Sequence, residues 1–326
     1  MFVLGLQGSP RKRGNTDTFM AAFMDRAAKA GANVETIQVS RAGIVPCIGC
    51  GYCETHGTCV IADDPMSTGI YGLLRKADLV VAASPVFFYG MTAQLKALVD
   101  RCQTLWSRKY VYKLKDPLAA TRKGLVFSVA ASRGRQLFDG IHLTAKYFFD
   151  AIDAGYDMSL TYRGIESKGA IRHRKGLDAD LDDAIRKTVL PLIGRRKVLF
   201  VSPRGACRAP MAAAMAQMRY GERIRTDFAG RAPASGLWEP MVQIMQRKGT
   251  DMGFRRPKPV DQAFWGAAPD LVVAIGGAGD PPPLAGVPTS HWTLPEPASP
   301  DDRDLERLHR EVAAAVDGLP PLTPST

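Results

Sequence analysis

Two doubly wound α/β domains, each on a parallel sheet, are what this sequence predicts. Three observations carry that expectation. Apolar strand-like runs alternate with helical patterns through roughly the first 190 residues. The same strand, loop, helix order restarts after the polar break Gly194-Arg195-Arg196-Lys197. A chain of 326 residues with 46% hydrophobic content is also long for a single core. Domains are expected at 1–194 and 195–318, with a loose Pro-rich tail at 319–326.

The elements follow in order. FVLGLQ at 2–7 is a short apolar run that ends in a Gly/Ser/Pro loop, and a helical pattern runs from Asn15 to about Ala30. NVETIQV at 33–39 reads as a second strand. DLVVAAS at 78–84 is continuously apolar and stops at Pro85, as a strand buried on both faces does. A helix at about 92–105, a strand at 124–131 (GLVFSVAA), a helix at 136–152 and a terminal helix at 178–193 complete the first half. In the second half, VLFVS at 198–202 leads through a Gly/Arg loop into a helix at 210–220. DLVVAI at 270–275 is a further buried strand, and a closing helix covers 305–315.

The net charge is +11, of which +8 falls in residues 1–194, where 26 Lys and Arg stand against 18 Asp and Glu. Such an excess suits phosphate-bearing cofactors, nucleic acid, an acidic partner protein or simply a solvated surface. The Arg172-His173-Arg174-Lys175 run is too short to argue for nucleic acid. No apolar run approaches the ~18 residues that a membrane span needs. The N-terminus puts its apolar run before its basic cluster, the reverse of a secretory signal, so a cytoplasmic protein is expected.

GSPRKRGNT at 8–16 joins the first strand to the first helix. Backbone N–H groups at a helix start lack partners and carry the positive end of the dipole, which suits a phosphate. Ser9, Asn15 and Thr16 can add side-chain donors, and Gly14 allows close approach of the backbone. In open α/β sheets ligands sit beyond the carboxyl ends of the strands, where this loop falls. Taken alone, the loop reads equally well as a capped helix without a ligand.

Two further segments are SPVFFYG at 84–90 and QLKALVDR at 94–101. With the first loop they resemble the NADPH-dependent FMN reductase and iron–sulfur flavoprotein families of the flavodoxin-like fold, over most of residues 1–190. The resemblance implies that the first loop holds the FMN phosphate, through Ser9, Arg11, Gly14, Asn15 and Thr16. It implies that Pro85, Val86, Phe87, Phe88 and Tyr89 line the isoalloxazine. Ser132, Arg133 and Gly134 stand where a third flavin-contacting loop is expected. The flavin would carry the hydride or electron chemistry itself, with NAD(P)H as the donor. The alternative for the aromatics is core packing, and for Lys96, Asp100 and Arg101 a structural ion-pair set.

Cys47, Cys50, Cys53 and Cys59 fall within thirteen residues in a Cys-x2-Cys-x2-Cys-x5-Cys pattern. In a cytosolic chain this clustering points to metal or redox work rather than a disulfide framework. Four thiolates at close spacing suit a [4Fe–4S] cluster, and small Gly49 and Gly51 let the sulfurs converge. Zinc is the rival, although its sites usually pair two separated Cys-x2-Cys motifs. The compact spacing resembles the iron–sulfur flavoprotein motif, as does Asp63-Asp64-Pro65-Met66 downstream. Related flavin reductases keep some such cysteines as packing or redox thiols. The relatives' clusters lie near a subunit interface, which implies a homo-oligomer.

KVLFVSPRGACRAPMA at 197–212 resembles the low-molecular-weight protein-tyrosine phosphatase and arsenate reductase superfamily, over about 197–315. There a strand ends in a nucleophilic Cys, and a Cys-x5-Arg loop cradles an oxyanion with backbone N–H groups and a bidentate Arg. Phe228-Ala229-Gly230 and HWTLPEP at 291–297 fall in step with that family, the latter as the loop that supplies the general acid. Two deciding positions depart. The nucleophile position is Ser202 and the acid position Glu296, while Cys207 holds the second loop position next to Arg208. A loop field that makes a thiolate at neutral pH does not ionise a serine hydroxyl, and no adjacent His base is visible. The stretch at 275–284 lacks the extra cysteine of thioredoxin-linked arsenate reductases.

The expected function is an NAD(P)H-dependent FMN oxidoreductase, with a second domain that binds phosphate or another oxyanion without turnover. The partner would be a small-molecule or protein electron donor or acceptor. The alternatives are a flavin-bound electron carrier with no NAD(P)H activity, or a phosphatase or oxyanion reductase working through Cys207 or Ser202.

Overall fold

A computed structural model describes residues 1–276, 284–297 and 301–319. The chain forms two compact units, Met1–Lys113 with Thr121–Ile193, and Leu114–Ala120 with Gly194–Thr326. Each is a parallel sheet with helices on its faces, the doubly wound α/β class that the alternation predicts.

The first unit has five strands: β1 (Phe2–Gln7), β2 (Asn33–Gln38), β3 (Leu79–Pro85), β4 (Lys123–Ala130) and β5 (Gly155–Arg163). They lie in the order β2-β1-β3-β4-β5, all parallel, with Val3 opposite Val34 on one side and Leu79 on the other. The strand order reverses at β1, which opens a crevice between the carboxyl ends of β1 and β3. β1, β3 and β4 are the buried strands, so their sequences are apolar without alternation. β5 escapes the pattern reading because it is an edge strand that mixes Asp157, Ser159 and Thr161 among its apolar residues.

The helices follow the 3.6-residue period. α1 (Asn15–Lys29) buries Phe19, Met20, Phe23, Met24 and Ala27 on one face, and Phe19 stacks on Phe127 of β4 with ring centroids 4.5 Å apart. Short α2 (Tyr52–His56) and α3 (Tyr71–Lys76) precede β3. The helix expected at 92–105 breaks at Cys102 into α4 (Ala93–Arg101) and α5 (Gln103–Tyr110). Thr92 caps α4 by accepting from the Leu95 N–H, the usual duty of a threonine at that position. α6 (Asp139–Ala151) follows β4, and α7 (Leu177–Thr188) with α8 (Leu190–Ile193) closes the unit, interrupted at Val189, two residues before Pro191.

The second unit orders its strands β7-β6-β8-β9, again all parallel: β6 (Arg196–Ser202), β7 (Ile224–Gly230), β8 (Leu271–Ile275) and β9 (Thr289–Trp292). Its helices are α9 (Arg208–Tyr220), α10 (Glu239–Arg247) and α11 (Asp302–Asp317). Val198, Phe200, Met211, Ala212, Met241, Ile244, Leu308 and Val312 meet in its core. β7 hides from the sequence behind Arg225, Thr226 and Asp227; Thr226 is buried all the same, its N–H donating to Gln217 Oε1 at 3.0 Å. Leu114–Ala120 is built into this unit. Lys115 exchanges backbone hydrogen bonds with Gly249 and Asp251, and buried Asp116 pairs with Arg255 Nη2 at 2.8 Å. The tail beyond 319 and most of the stretch at 275–284 lie outside the described residues.

Candidate functional sites

Three loops of the first unit meet at the carboxyl ends of adjacent strands: 8–14 after β1, 85–92 after β3 and 131–138 after β4. Their bases are locked together. Gly8 N–H donates to the Ala83 carbonyl at 2.8 Å, and Thr92 Oγ1 donates to the Gly8 carbonyl at 2.7 Å. Thr92 N–H donates to Ser84 Oγ at 3.0 Å, and Ser128 Oγ donates to the Ser84 carbonyl at 2.7 Å. A side chain at Gly8 would put its Cβ 2.8 Å from that of Leu95, so this crossing needs glycine.

In the first loop Gly14 is extended and no side chain caps the first turn of α1. Its leading N–H groups therefore face the loop as an anion cradle. Ser9 and Thr16 are buried at its floor, and Arg11 is exposed at the rim. Ser9 Oγ accepts from the Arg11 N–H at 3.3 Å. The Asn15 amide is engaged elsewhere: Nδ2 donates to the Ser167 carbonyl at 2.9 Å, and Oδ1 accepts from the Ile171 N–H at 3.3 Å. Asn15 thus ties the loop after β5 to the start of α1.

The turn after β3 is strained. Phe87 and Gly90 exchange backbone hydrogen bonds at 3.0 and 2.9 Å, closing a two-residue turn. Phe88 and Tyr89 at its centre have φ of +46° and +62°, a left-handed conformation that costs an L-residue about 1–2 kcal/mol. Phe88 is fully exposed, and Phe87 and Tyr89 are about half exposed. Core packing is therefore not what holds these rings. Large apolar side chains on a strained, solvent-facing turn are the mark of a ligand-contacting segment. A Cβ at Gly140 would stand 2.5 Å from the Tyr89 carbonyl, and one at Gly134 3.6 Å from the Tyr89 hydroxyl, which brings the third loop against the turn. Arg133 is exposed and reaches back over Gly164.

The four clustered cysteines line one recess of about 140 Å³, with Arg101 and Thr104 in its wall. All are free thiols. Their expected convergence is not reached: among the described residues no three His, Cys, Asp or Glu side chains come close enough to hold one metal ion. Gly49 and Gly51 are left-handed with open space around them. What is fixed is the frame. Arg101, buried on α4, donates to the Val45 carbonyl at 2.8 Å and the Ile61 carbonyl at 3.1 Å, one on each side of the cysteine segment. It also grips Asp64 through both oxygens, at 2.6 and 3.0 Å. Burial pushes the Asp64 carboxyl up, but Arg101 and the N–H groups of Ser67 and Val45 outweigh it and hold the group below the usual carboxylate range. From α5, Arg108 Nη1 donates to the Gly57 carbonyl at 2.9 Å and Ser107 Oγ to Cys53 Sγ at 3.4 Å. Sequence reading treats Arg101 as one of an ion-pair set; Lys96 and Asp100 do pair on the surface at 2.6 Å, whereas Arg101 turns inward.

In the second unit, Ser202, Cys207, Arg208 and Glu296 line a single recess of about 450 Å³, with Arg204, Ser235, Leu237, Trp238 and Glu239 completing its walls. The carbonyls of Ser202, Pro203, Arg204 and Ala206 accept from the N–H groups of Arg231, Ala232, Ala234 and Trp238, at 3.2, 2.9, 3.0 and 2.9 Å. The outward carbonyls are thus taken up by the 231–238 segment. Gly205 is left-handed, and a Cβ there would stand 2.6 Å from the Gly230 nitrogen. Ser202 is buried, and its Oγ accepts from the Gly205 N–H at 3.2 Å. Burial pushes the Cys207 thiol up to about 12; Arg208 pulls it down, and Glu296 pushes it further up. The 234–239 wall meets the loop through backbone hydrogen bonds, which leave no sequence signal.

Residues 1–143 match the family model described as NADPH-dependent FMN reductase, and residues 197–279 match that of low molecular weight phosphotyrosine protein phosphatase. An iron-sulfur flavoprotein of Methanocaldococcus jannaschii is 39% identical over 105 residues, which are 32% of this chain and 53% of that protein. One of Methanosarcina thermophila is 35% identical over 133 residues, 41% of this chain and 65% of that protein. The chain thus spans between about half and two thirds of these relatives' length. Among solved structures, an arsenate reductase of Archaeoglobus fulgidus is similar over 37% of this chain and 97% of its own, with 23% identity and a TM-score of 0.34. An NADH:FMN oxidoreductase in its apo form covers 58% of this chain and 88% of its own, with 14% identity and a TM-score of 0.42. The chain is therefore similar to the NADPH-dependent FMN reductase family over residues 1–143 and to the low molecular weight phosphotyrosine protein phosphatase family over residues 197–279.

Proposed function

We propose that the first unit binds FMN and works as an NAD(P)H-dependent oxidoreductase, and that the second binds an oxyanion without turning it over. The observation that carries the first part is the crevice at the β1/β3 reversal, walled by an uncapped helix start and by the exposed, left-handed Phe88-Tyr89 turn. An N–H cradle fits the phosphate, and flat aromatic faces fit the ring. Ser9, Arg11, Gly14 and Thr16 would hold the phosphate end, with Asn15 fixing the cradle from behind. Residues 85–89, Ser132, Arg133 and Gly134 would border the ring. When bound, FMN supplies hydride and single-electron chemistry, and a cluster would supply single electrons. The chain's own residues bind, orient and screen.

Cys47, Cys50, Cys53 and Cys59 are the donor set for a [4Fe–4S] cluster or, as the rival, for zinc. The names of the curated relatives favour the cluster, and the common recess supports it. Exposed Trp106, Tyr110, Leu143 and Tyr147 beside that recess support a homo-oligomer. Six unpaired cysteines fit a reducing, cytoplasmic setting, and no helix among the described residues is long and apolar enough to cross a membrane.

For the second unit, Arg208 and the 202–208 loop support anion binding. Among the described residues Ser202 Oγ makes no hydrogen bond to a basic side chain, and burial raises the Cys207 thiol to about 12, which supports the absence of turnover.

Anaerobic purification, absorbance spectroscopy and metal analysis test the first part together. The expected result is a yellow-brown protein with flavin and iron that oxidises NADPH. A colourless protein that refuses added FMN overturns the reading. A flavin that only a reduced protein donor bleaches makes it a carrier, and zinc in place of iron removes the cluster.

A further inference from the structure

The anion site proposed for the second unit already has a negative charge in it. Arg208 lies at the start of α9 with its side chain only 6% exposed. Its Nη1 donates to the Leu294 carbonyl at 2.8 Å and its Nη2 to Glu296 Oε2 at 3.2 Å. Both acceptors belong to the short segment that follows β9. Glu296 shares the recess with Ser202, Cys207 and Arg208, yet its side chain is 67% exposed. Its carboxylate therefore rests on the buried guanidinium from the solvent side, with open water to withdraw into.

The carboxylate on Arg208 Nη2 makes a charge-assisted hydrogen bond of the kind an oxyanion would make there. An incoming anion and Glu296 would place two negative charges on one guanidinium, and the pair repel. We infer that Glu296 is the specificity-determining residue of this site, a tethered carboxylate that competes for Arg208 and yields only to anions with more to offer. The inference rests on the anion-binding reading above. A free carboxylate brings Arg208 nothing that Glu296 does not already supply. A tetrahedral dianion such as phosphate has further oxygens for the N–H groups of the 202–208 loop, whose carbonyls are held outward by the 231–238 segment. The site is thereby tuned toward phosphate-like dianions and against carboxylates.

The test is calorimetric titration of the full, FMN-saturated chain with inorganic phosphate, on the wild type and on Glu296→Gln, Glu296→Ala and Arg208→Ala. Glu296→Gln and Glu296→Ala are expected to bind phosphate on the order of two- to fivefold tighter, the scale of releasing an exposed ion pair. Equal gains in both separate loss of the competing charge from a new amide hydrogen bond. Arg208→Ala is expected to abolish the binding. Phosphate binding that is unchanged or weaker in both Glu296 variants overturns the competition while leaving the anion site standing. Binding absent from the wild type and from both Glu296 variants, or undiminished in Arg208→Ala, overturns the anion site and the competition with it.

Discussion

Replacing Arg101 with methionine should unfasten the cysteine segment at both ends. The guanidinium makes five hydrogen bonds, to the Val45 and Ile61 carbonyls, both Asp64 oxygens and Ser67 Oγ. Its side chain and that of Asp64 are almost fully buried. Removing one member of a buried ion pair leaves the other uncompensated, which costs about 3–5 kcal/mol. That is a large part of the ~5–15 kcal/mol that a domain has. At about 2–4 °C per kcal/mol, the unfolding midpoint should drop by roughly 6–20 °C. Asp64 keeps its bonds from the Ser67 and Val45 N–H groups, at 3.2 and 3.1 Å, so the lower half of that range is the better expectation. The assay is urea and thermal unfolding of Arg101→Met, Asp64→Leu and the double variant. If the pair acts as a unit, the double variant should lose less than the two single losses combined, with a coupling of about 1–3 kcal/mol. Strict additivity, or a loss below about 1 kcal/mol for Arg101→Met, would refute the reasoning.

The same pair predicts an acid limb. Asp64 is lowered in the folded protein, so its contribution is complete above the ordinary carboxylate value of about 4 and is lost as pH falls through the lower folded one. Urea midpoints should therefore fall more steeply on acidification in the wild type than in Arg101→Met. Gly140→Ala should push the Tyr89 carbonyl away and cost about 1–3 kcal/mol, split between stability and FMN affinity, which flavin fluorescence titration resolves. Gly205→Ala combines a left-handed φ with a 2.6 Å approach to Gly230, so scanning calorimetry should show the second unit destabilised by more than about 1 kcal/mol while the first holds its midpoint. In protein stripped of metal, Cys207, raised to about 12, should resist iodoacetamide at pH 7.5 while exposed Cys47 and Cys50 react, as peptide mass spectrometry would reveal.

The central strands were readable because burial on both faces leaves continuous apolar runs, as in LVVAASP and LVVAI. The strands that escaped notice are all edge strands. β5 and β9 carry solvated residues, and β7 buries polar groups whose partners lie elsewhere in the chain, such as Thr226 with Gln217. The site followed the same division. The loops proposed to contact a ligand, 8–16, 84–90 and 202–208, each have a local signature. Arg101 could not be read as the clasp of the cysteine segment, because its carbonyl partners are 56 and 40 residues upstream. The tie that Asn15 makes could not be read, because the loop it holds, 152 residues away, leaves no trace near it.

Leu114–Ala120 has a practical bearing on anyone who divides this gene. A fragment that begins at Gly194 omits Asp116, the fully buried carboxylate that answers Arg255. It also omits the strand-like rung that Lys115 forms with Thr250. Such a product would carry an orphan cation where the intact protein has a satisfied one, and its solubility would say little about the native phosphatase-like half. Supplying residues 114–120 as a short leader peptide is the simplest way to make the piece whole.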